Sequence, residues 1–189
     1  MAPGRGLSRA VVIDAAAGLA DRDGFDALTV GAVAAALGVR PPSLYNHVAG
    51  LDGLRHDLAL RGVQELGERI RDAAVGRAGA DALAALAEAY RAYARERPGL
   101  YRALQRAPAA GDAELGAAAE RLLQPVLAVL AGFGLQGDDV IHAARSLRSA
   151  MHGFVELERL GGFGIDLDLD ASFRFMIAAV SAGMVGRRA

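Results

Sequence analysis

The sequence predicts an all-α protein: a three-helix unit over residues 1–52, followed by a larger helical bundle over residues 53–189 that dimerises. Three observations predict it. Apolar residues recur every three or four positions through most of the chain, the spacing of a helix with one buried face. No segment reads as a credible strand, and there is neither an internal repeat nor a low-complexity stretch. Glycine and proline fall where helices stop and start rather than inside alternating runs.

The first helix is read from AVVIDAAAGLA, after Arg5 and Arg9. Basic residues ahead of an apolar run suggest a secretory leader, but Asp14 breaks the run and Asp21, Arg22 and Asp23 follow it, so an amphipathic helix is expected. Arg5 and Arg9 are expected to form a flexible arm.

The stretch TVGAVAAALGVRPPSLYNHV, Thr29 to Val48, holds two short helices around a tight turn. Thr29 can accept a hydrogen bond from an orphan amide and open the first of them. Val33, Ala34 and Leu37 then repeat at helical spacing, with small alanines that let another helix come close. Gly38 stands where a helix commonly ends in a left-handed residue, and Val39 is expected to pack back into the core. Pro41 and Pro42 fit only the first turn of a helix, where their missing amides are not needed, so the second helix is expected from there through Val48. Leu44 and Val48, four apart, face inward, while Ser43, Asn46 and His47 face out. Ser, Tyr, Asn and His can all bond phosphate or base edges without carrying net charge. Taken alone, Tyr45 reads more readily as a half-buried core aromatic and His47 as a solvated surface residue; the twenty-residue arrangement as a whole shifts the reading toward DNA contact.

Thr29, Val33-Ala34, Leu37-Gly38-Val39, Ser43-Leu44-Tyr45 and His47-Val48 resemble the DNA-binding domain of the TetR/AcrR transcriptional regulators, from about Leu7 to Leu60. The resemblance implies an all-helical homodimer, most often a repressor that leaves a palindromic operator when a small molecule enters the C-terminal domain. By position it implies that Arg40, Pro41, Pro42, Ser43, Tyr45 and His47 meet the groove and its phosphates, and that Thr29 touches the backbone. Leu51 stands where the family usually has a phosphate-contacting lysine, so that contact is expected to be missing.

Leu54, Leu58, Leu66 and Ile70 define a long helix linking the two domains, ended by Gly76 and Gly79. Leu83, Leu86, Tyr90 and Tyr93 continue to Pro98, a short piece carries Leu100, Tyr101 and Leu104, and Pro108 and Gly111 break the pattern. A helix from about Asp112 to Ala131 is expected to be interrupted or kinked near Pro125. Asp138 or Asp139 can cap the next helix, in which Val140, Ala144, Leu147, Met151 and Phe154 share a face. The last helix opens near Asp168 and carries Phe173, Met176, Ile177, Val180 and Met184. These last two helices are apolar on more than one side, and soluble monomers rarely leave such surface in water. A two-fold four-helix interface covers it, and the same two-fold suits a palindromic site with half-sites about one helical turn apart.

The segment from Ala144 to Gly164 resembles a subgroup of these regulators whose C-terminal domain carries a Trp, a His-Gly pair and a Gly-Gly-Phe segment. His152-Gly153 and Gly161-Gly162-Phe163 are present; Arg148 stands in the place of the tryptophan. His152 either bonds a ligand or bonds a backbone carbonyl across a close helix junction at Gly153. Tyr90, Tyr93, Tyr101, Leu104, Met151, His152 and Phe154, with Phe133, are the candidates for a pocket receiving a small apolar or aromatic ligand; the same spacing also describes plain core.

Composition bounds the rest. The chain has 189 residues, 53% of them hydrophobic, and no cysteine, which excludes disulfides, thiolate nucleophiles and sulfur-based zinc sites. His152 and Glu156 are four apart but lack further metal ligands, and Asp166, Asp168 and Asp170 lack the glycine and glutamate of a calcium loop, so neither metal nor cofactor is expected. There is no Gly-x-Ser-x-Gly, phosphate loop or two-histidine metalloprotease motif, and no enzyme is expected. No apolar run is long enough to cross a bilayer, and a cytoplasmic location is expected. Net charge is −1, and Arg5, Arg9, Arg22 and Arg40 are balanced by Asp14, Asp21, Asp23 and Asp26 within the first 48 residues. Phosphate binding is largely electrostatic, so DNA affinity is expected to be modest and to depend on where those charges sit. All 21 basic residues are arginine. The alternative to a ligand-released repressor is a helix-turn-helix protein acting as a ligand-independent interaction module.

Overall fold

The computed structural model describes residues 6–105 and 109–185; Arg5 and Pro108 lie outside them. Eight α-helices and two 3₁₀ segments occur there, and no strand does. In chain order the helices are α1 (Arg9–Asp23), α2 (Val30–Ala36), α3 (Gly50–Ala74), α4 (Gly79–Glu96), α5 (Pro98–Ala103), α6 (Ala113–Ala131), α7 (Asp138–Arg159) and α8 (Leu169–Val185), with 3₁₀ turns at Phe25–Ala27 and Pro41–Asn46. None of the helices is long and apolar enough to cross a membrane.

The chain divides into two compact units. The first comprises residues 1–64 and 96–118, the second residues 65–95 and 119–189, so α3 contributes to both.

In the first unit, Val12, Ala16 and Ala20 of α1, Val33 and Ala34 of α2, Leu44, Val48, Leu54 and Leu58 are buried. Each buried large aliphatic contributes roughly 1.5–3 kcal/mol. Ser8 caps α1 by accepting from the Val11 amide at 3.3 Å. Arg9, expected in a flexible arm, is instead the first residue of α1 and forks onto Asp57 of α3, Nη2 to Oδ1 at 2.6 Å and Nε to Oδ2 at 3.2 Å. Its guanidinium pKa is raised by the hydrogen bond to Asp57 and by that carboxylate's charge.

α5 packs on α1 with its backbone. Asp21, at the end of α1, accepts from the amides of Gly99 and Leu100 at 2.9 and 3.3 Å and from Arg97 Nε at 2.7 Å. An anion at a helix N-terminus is favoured because the orphan amides point at it. Gly99 is required here: a Cβ would stand 2.2 Å from the carbonyl carbon of Ala20. Asp112 opens α6, accepting from the Leu115 amide at 3.1 Å, and its other oxygen lies 2.9 Å from His56 Nε2.

In the second unit the expected faces of α4, α7 and α8 are buried through Leu83, Leu86, Leu147, Phe173, Ile177 and Met184. α6 runs as one helix with Pro125 inside it, so the proline does not interrupt it. One detail differs from the sequence expectation. α7 is preceded by Gly137 at φ +53° without a side-chain cap; Asp138 and Asp139 occupy its first turn, where the helix dipole favours acids. Asp168 does open α8, accepting from the Asp170 amide at 2.8 Å.

Candidate DNA-binding surface and ligand site

The reading turn is built by a run of local devices. Thr29 accepts from the Ala32 amide at 3.1 Å and so fixes the start of α2. Leu37 closes the helix, and Gly38, at φ +67°, turns the chain left-handed. The Gly38 amide reaches Ala35 O at 3.1 Å and the Val39 amide reaches Ala34 O at 3.0 Å, satisfying two of the last carbonyls of α2. Arg40 is extended, and Pro41 and Pro42 open the next segment.

That segment is a 3₁₀ helix, Pro41–Asn46, rather than an α-helix reaching Val48. The His47 amide bonds Leu44 O at 2.9 Å and the Val48 amide bonds the same oxygen at 3.0 Å, which ends the turn. Two adjoining prolines remove two amides from a six-residue segment, and short helical pieces are commonly 3₁₀. Leu44 and Val48 point into the core as expected. Tyr45 is 61% exposed, which excludes the half-buried core aromatic. Arg40, Pro41, Pro42 and Asn46 are exposed with it, as is Thr29; Ser43 and His47 are half-buried, and so are Val39 and Leu51. The candidate DNA-contacting side chains from Arg40 to His47 therefore lie along one stretch anchored by two buried aliphatics, with Thr29 apart at the start of α2.

The charge balance of the first 48 residues misleads, because later segments deliver arginines to the acids. Arg61 Nη1 bonds Asp14 at 2.5 Å, Arg97 bonds Asp21 and Arg102 Nε lies 3.4 Å from Asp26, while Asp23 pairs locally with Arg22. Arg40 has no ion-pair partner among the described residues, so the cation beside the reading turn remains available to a phosphate.

The proposed pocket residues do not gather in one unit. Tyr101 and Leu104 belong to the first; Tyr90, Tyr93, Met151, His152 and Phe154 belong to the second. Tyr90, Tyr93, Tyr101, Met151 and Phe154 are buried, and Leu104 and His152 half-buried. Tyr93 OH donates to Glu65 at 3.3 Å, and Arg69 lies 5.2 Å from its ring centroid. Phe154 packs on Phe163 and Phe173, with centroids 4.8 and 5.1 Å apart. The Gly-Gly-Phe segment has a structural role: the Gly161 amide bonds Glu158 O at 3.1 Å and the Gly162 amide bonds Leu157 O at 2.7 Å, stopping α7 and setting Phe163 on Phe154. Gly153 faces open space, so among the described residues no other helix of the same chain comes close to it. A cavity of about 330 Å³ exists in the second unit and is lined by none of these candidates.

Arg91 was not singled out by sequence reasoning. It is buried in α4 and forks onto Glu158, with Nε to Oε2 at 3.0 Å and Nη2 to Oε1 at 2.6 Å; Nη1 meets Asp170 at 2.8 Å. The Glu158 hydrogen bond is the chief cause of its raised pKa; desolvation opposes that shift, and Asp170 adds to it. Among the described residues no group of three or more His, Cys, Asp or Glu could hold a metal.

A short exposed helical turn presented after α2 and Gly38, on an otherwise all-helical chain, defines a helix-turn-helix DNA-binding protein. Residues 12–54 match the family described as bacterial regulatory proteins, tetR family, and residues 83–180 match the tetracyclin repressor-like C-terminal domain. The chain is 42% identical to Rv0681, an uncharacterized HTH-type transcriptional regulator of Mycobacterium tuberculosis, over 96% of this chain and 83% of that one. It is 34% identical to YobS, an uncharacterized HTH-type transcriptional regulator of Bacillus subtilis, over 98% and 96%. Its fold is similar to that of a TetR variant from Acinetobacter baumannii AYE in complex with minocycline: TM-score 0.74 and 23% identity, covering 97% of this chain and 99% of that one. The chain belongs to the TetR family of helix-turn-helix transcriptional regulators, a non-enzymatic family.

Proposed function

We propose that this regulator is a homodimeric repressor, released from a palindromic operator when a small molecule binds its C-terminal region. In this reading residues 1–52 read the DNA and residues 53–189 dimerise and sense the ligand. Thr29, Arg40, Pro41, Pro42, Ser43, Tyr45 and His47 contact the groove and its phosphates, and a phosphate contact is missing at Leu51. The observation that carries the DNA half is the exposed Tyr45 and Arg40 on a turn held from below by buried Leu44 and Val48.

Dimerisation is supported by apolar surface on α7 and α8. Phe175 is 78% exposed, on the side of α8 opposite buried Phe173 and Ile177, and Ala178, Ala179, Ala182 and Val185 continue that side. Leu157 and the small residues Ser149 and Gly153 are exposed on α7, and Leu160 just past its end. Large and small side chains alternating on exposed helices suit a partner's close approach.

Ligand release requires a molecule that binds one dimer shape better than the other, and α3, shared between the two units, is the element whose shift would change the spacing of the reading turns. A TetR structure similar in fold holds minocycline, which supports a small molecule as the signal.

The test is a gel shift of the protein against the DNA upstream of its own gene and its neighbours, over a salt series with nonspecific competitor. A discrete, salt-sensitive complex is expected, weakened by Tyr45→Ala with the dimer intact. Unchanged affinity of Tyr45→Ala would remove the reading turn from recognition, and a Phe175→Glu protein that stays dimeric by light scattering would remove the α8 interface.

A further inference from the structure

We propose that the cleft between the end of α3, the start of α4 and the second half of α6 binds a small organic monocarboxylate carrying an apolar chain or ring. The cleft lies within the second unit and holds about 330 Å³. At ~30 Å³ per water-sized group that is room for on the order of ten non-hydrogen atoms. It is apart from the aromatic and histidine candidates read from the sequence, all of which lie elsewhere.

The lining is apolar on two sides. Pro125, Ala128 and Val129 of α6 supply one wall, and Ala74, Val75 and Ala82 the other. Val75 is 70% exposed, an aliphatic side chain left to water beside the opening. Among the described residues, the charged ones lining the cleft are Arg71 and Arg77. Arg77 is held in place: its Nη1 donates to Ala73 O at 2.6 Å, and its Nε lies 3.7 Å from Asp81. Arg71 is exposed and has no ion-pair partner among the described residues.

Two arginines lining an otherwise apolar cleft select a particular chemistry. A carboxylate accepts paired hydrogen bonds from the planar fork of an arginine. A neutral alcohol of the same length fills the walls but leaves the arginines partly stripped of water without an anion in exchange. An amine places like charge against Arg71 and Arg77. The apolar tail is then covered by Val75, Pro125 and Val129. The binding itself stands independently of the ligand-released reading above; only its effect on DNA rests on that reading.

The test is calorimetric titration of the full chain with octanoate, whose ten non-hydrogen atoms match the cleft, against octanol and octylamine. Octanoate is expected to bind, with octanol at least about tenfold weaker and octylamine giving no heat. Arg71→Ala, at an exposed position that leaves the thermal midpoint unchanged, is expected to lose about tenfold or more, as removal of a charged hydrogen bond does. Val129→Glu, which sets a carboxylate on the floor, is expected to abolish binding. Equal affinity for octanol, or wild-type affinity in both variants, would overturn the inference, as would the absence of octanoate binding at millimolar concentration. A gel shift with octanoate separates the two readings. Binding at the cleft with the operator complex intact keeps the site and rejects octanoate-driven release, whereas release that persists in Val129→Glu rejects the site.

Discussion

Replacing Arg91 by methionine removes a buried cation that ties α4 to the end of α7 and the start of α8. The arginine side chain is 3% exposed and Glu158 15%, whereas Asp170 is 59% exposed. The guanidinium also lies over Phe173 and Phe154, 4.9 and 5.4 Å from their centroids. Breaking a buried pair by deleting one partner costs about 3–5 kcal/mol, because the other charge is left stranded. Water reaches Glu158, which lowers that figure; the exposed Asp170 pair adds about 0–1 kcal/mol, and the aromatic contacts add about 0.5–2 kcal/mol. A net loss of about 3–4 kcal/mol follows for Arg91→Met, a fall in thermal midpoint of about 6–16 °C for a chain of this length. Removing both charges is expected to be far milder, since a buried pair replaced by apolar residues of similar volume is often neutral. Circular-dichroism melts and urea curves of Arg91→Met, Glu158→Leu and the double variant, at one protein concentration because dimerisation is linked to stability, measure the coupling. A single variant that melts within about 2 °C of the parent, or a double variant whose loss is the simple sum of the singles, would refute the argument.

Gly99→Ala is expected to cost about 2–3 kcal/mol in urea unfolding, since the added methyl meets the backbone of Ala20 and Asp21 rather than a yielding side chain; an unchanged midpoint would contradict the close approach of α5 to α1. Asp112 has a pKa held below the ordinary aspartate value, chiefly by the Leu115 amide and then by His56, against desolvation. Its stabilisation is therefore fully present above about pH 4 and lost as pH falls through the lower folded value, so Asp112→Asn should flatten the acid limb of a stability profile measured between roughly pH 5 and 3. Arg40→Ala is expected to reduce the slope of log affinity for the operator against log salt by about 2, the signature of one lost phosphate contact in each of the dimer's two reading turns; a weaker complex with an unchanged slope would place Arg40 off the backbone.

What the sequence made legible is local. Thr29 as a cap, Gly38 as a left-handed stop, two prolines as a start, and Leu44 and Val48 as inward anchors all follow from interactions spanning five residues or fewer, and each appears where expected. Leucine spacing located the long helices for the same reason. What was hidden depends on distant partners. Arg91 follows Tyr90 in an apolar stripe and reads as a solvated interruption until Glu158 and Asp170, 67 and 79 residues later, are brought to it. Arg9 reads as part of an arm until Asp57 arrives, and Asp14, Asp21 and Asp26 read as a liability for DNA until Arg61, Arg97 and Arg102 answer them. The departures at Pro41–Asn46 and before α7 are finer: proline and glycine announce that a helix begins, but not how tightly it winds or which group caps it.

The clasp of Asp21 on α5 has a consequence for anyone grafting such heads onto other regulators. Residues 1–52 contain every side chain expected to touch DNA, yet cut out alone they leave Asp21 without the amides and arginine it holds, and uncover the part of α1 that Gly99 presses against. Cut-and-paste at the end of the reading turn would therefore transfer the specificity while leaving behind part of its mounting. A chimera that keeps its head upright must also carry the segment 96–118, lying more than forty residues downstream, so the transferable module of this regulator is discontinuous in the gene though compact in space.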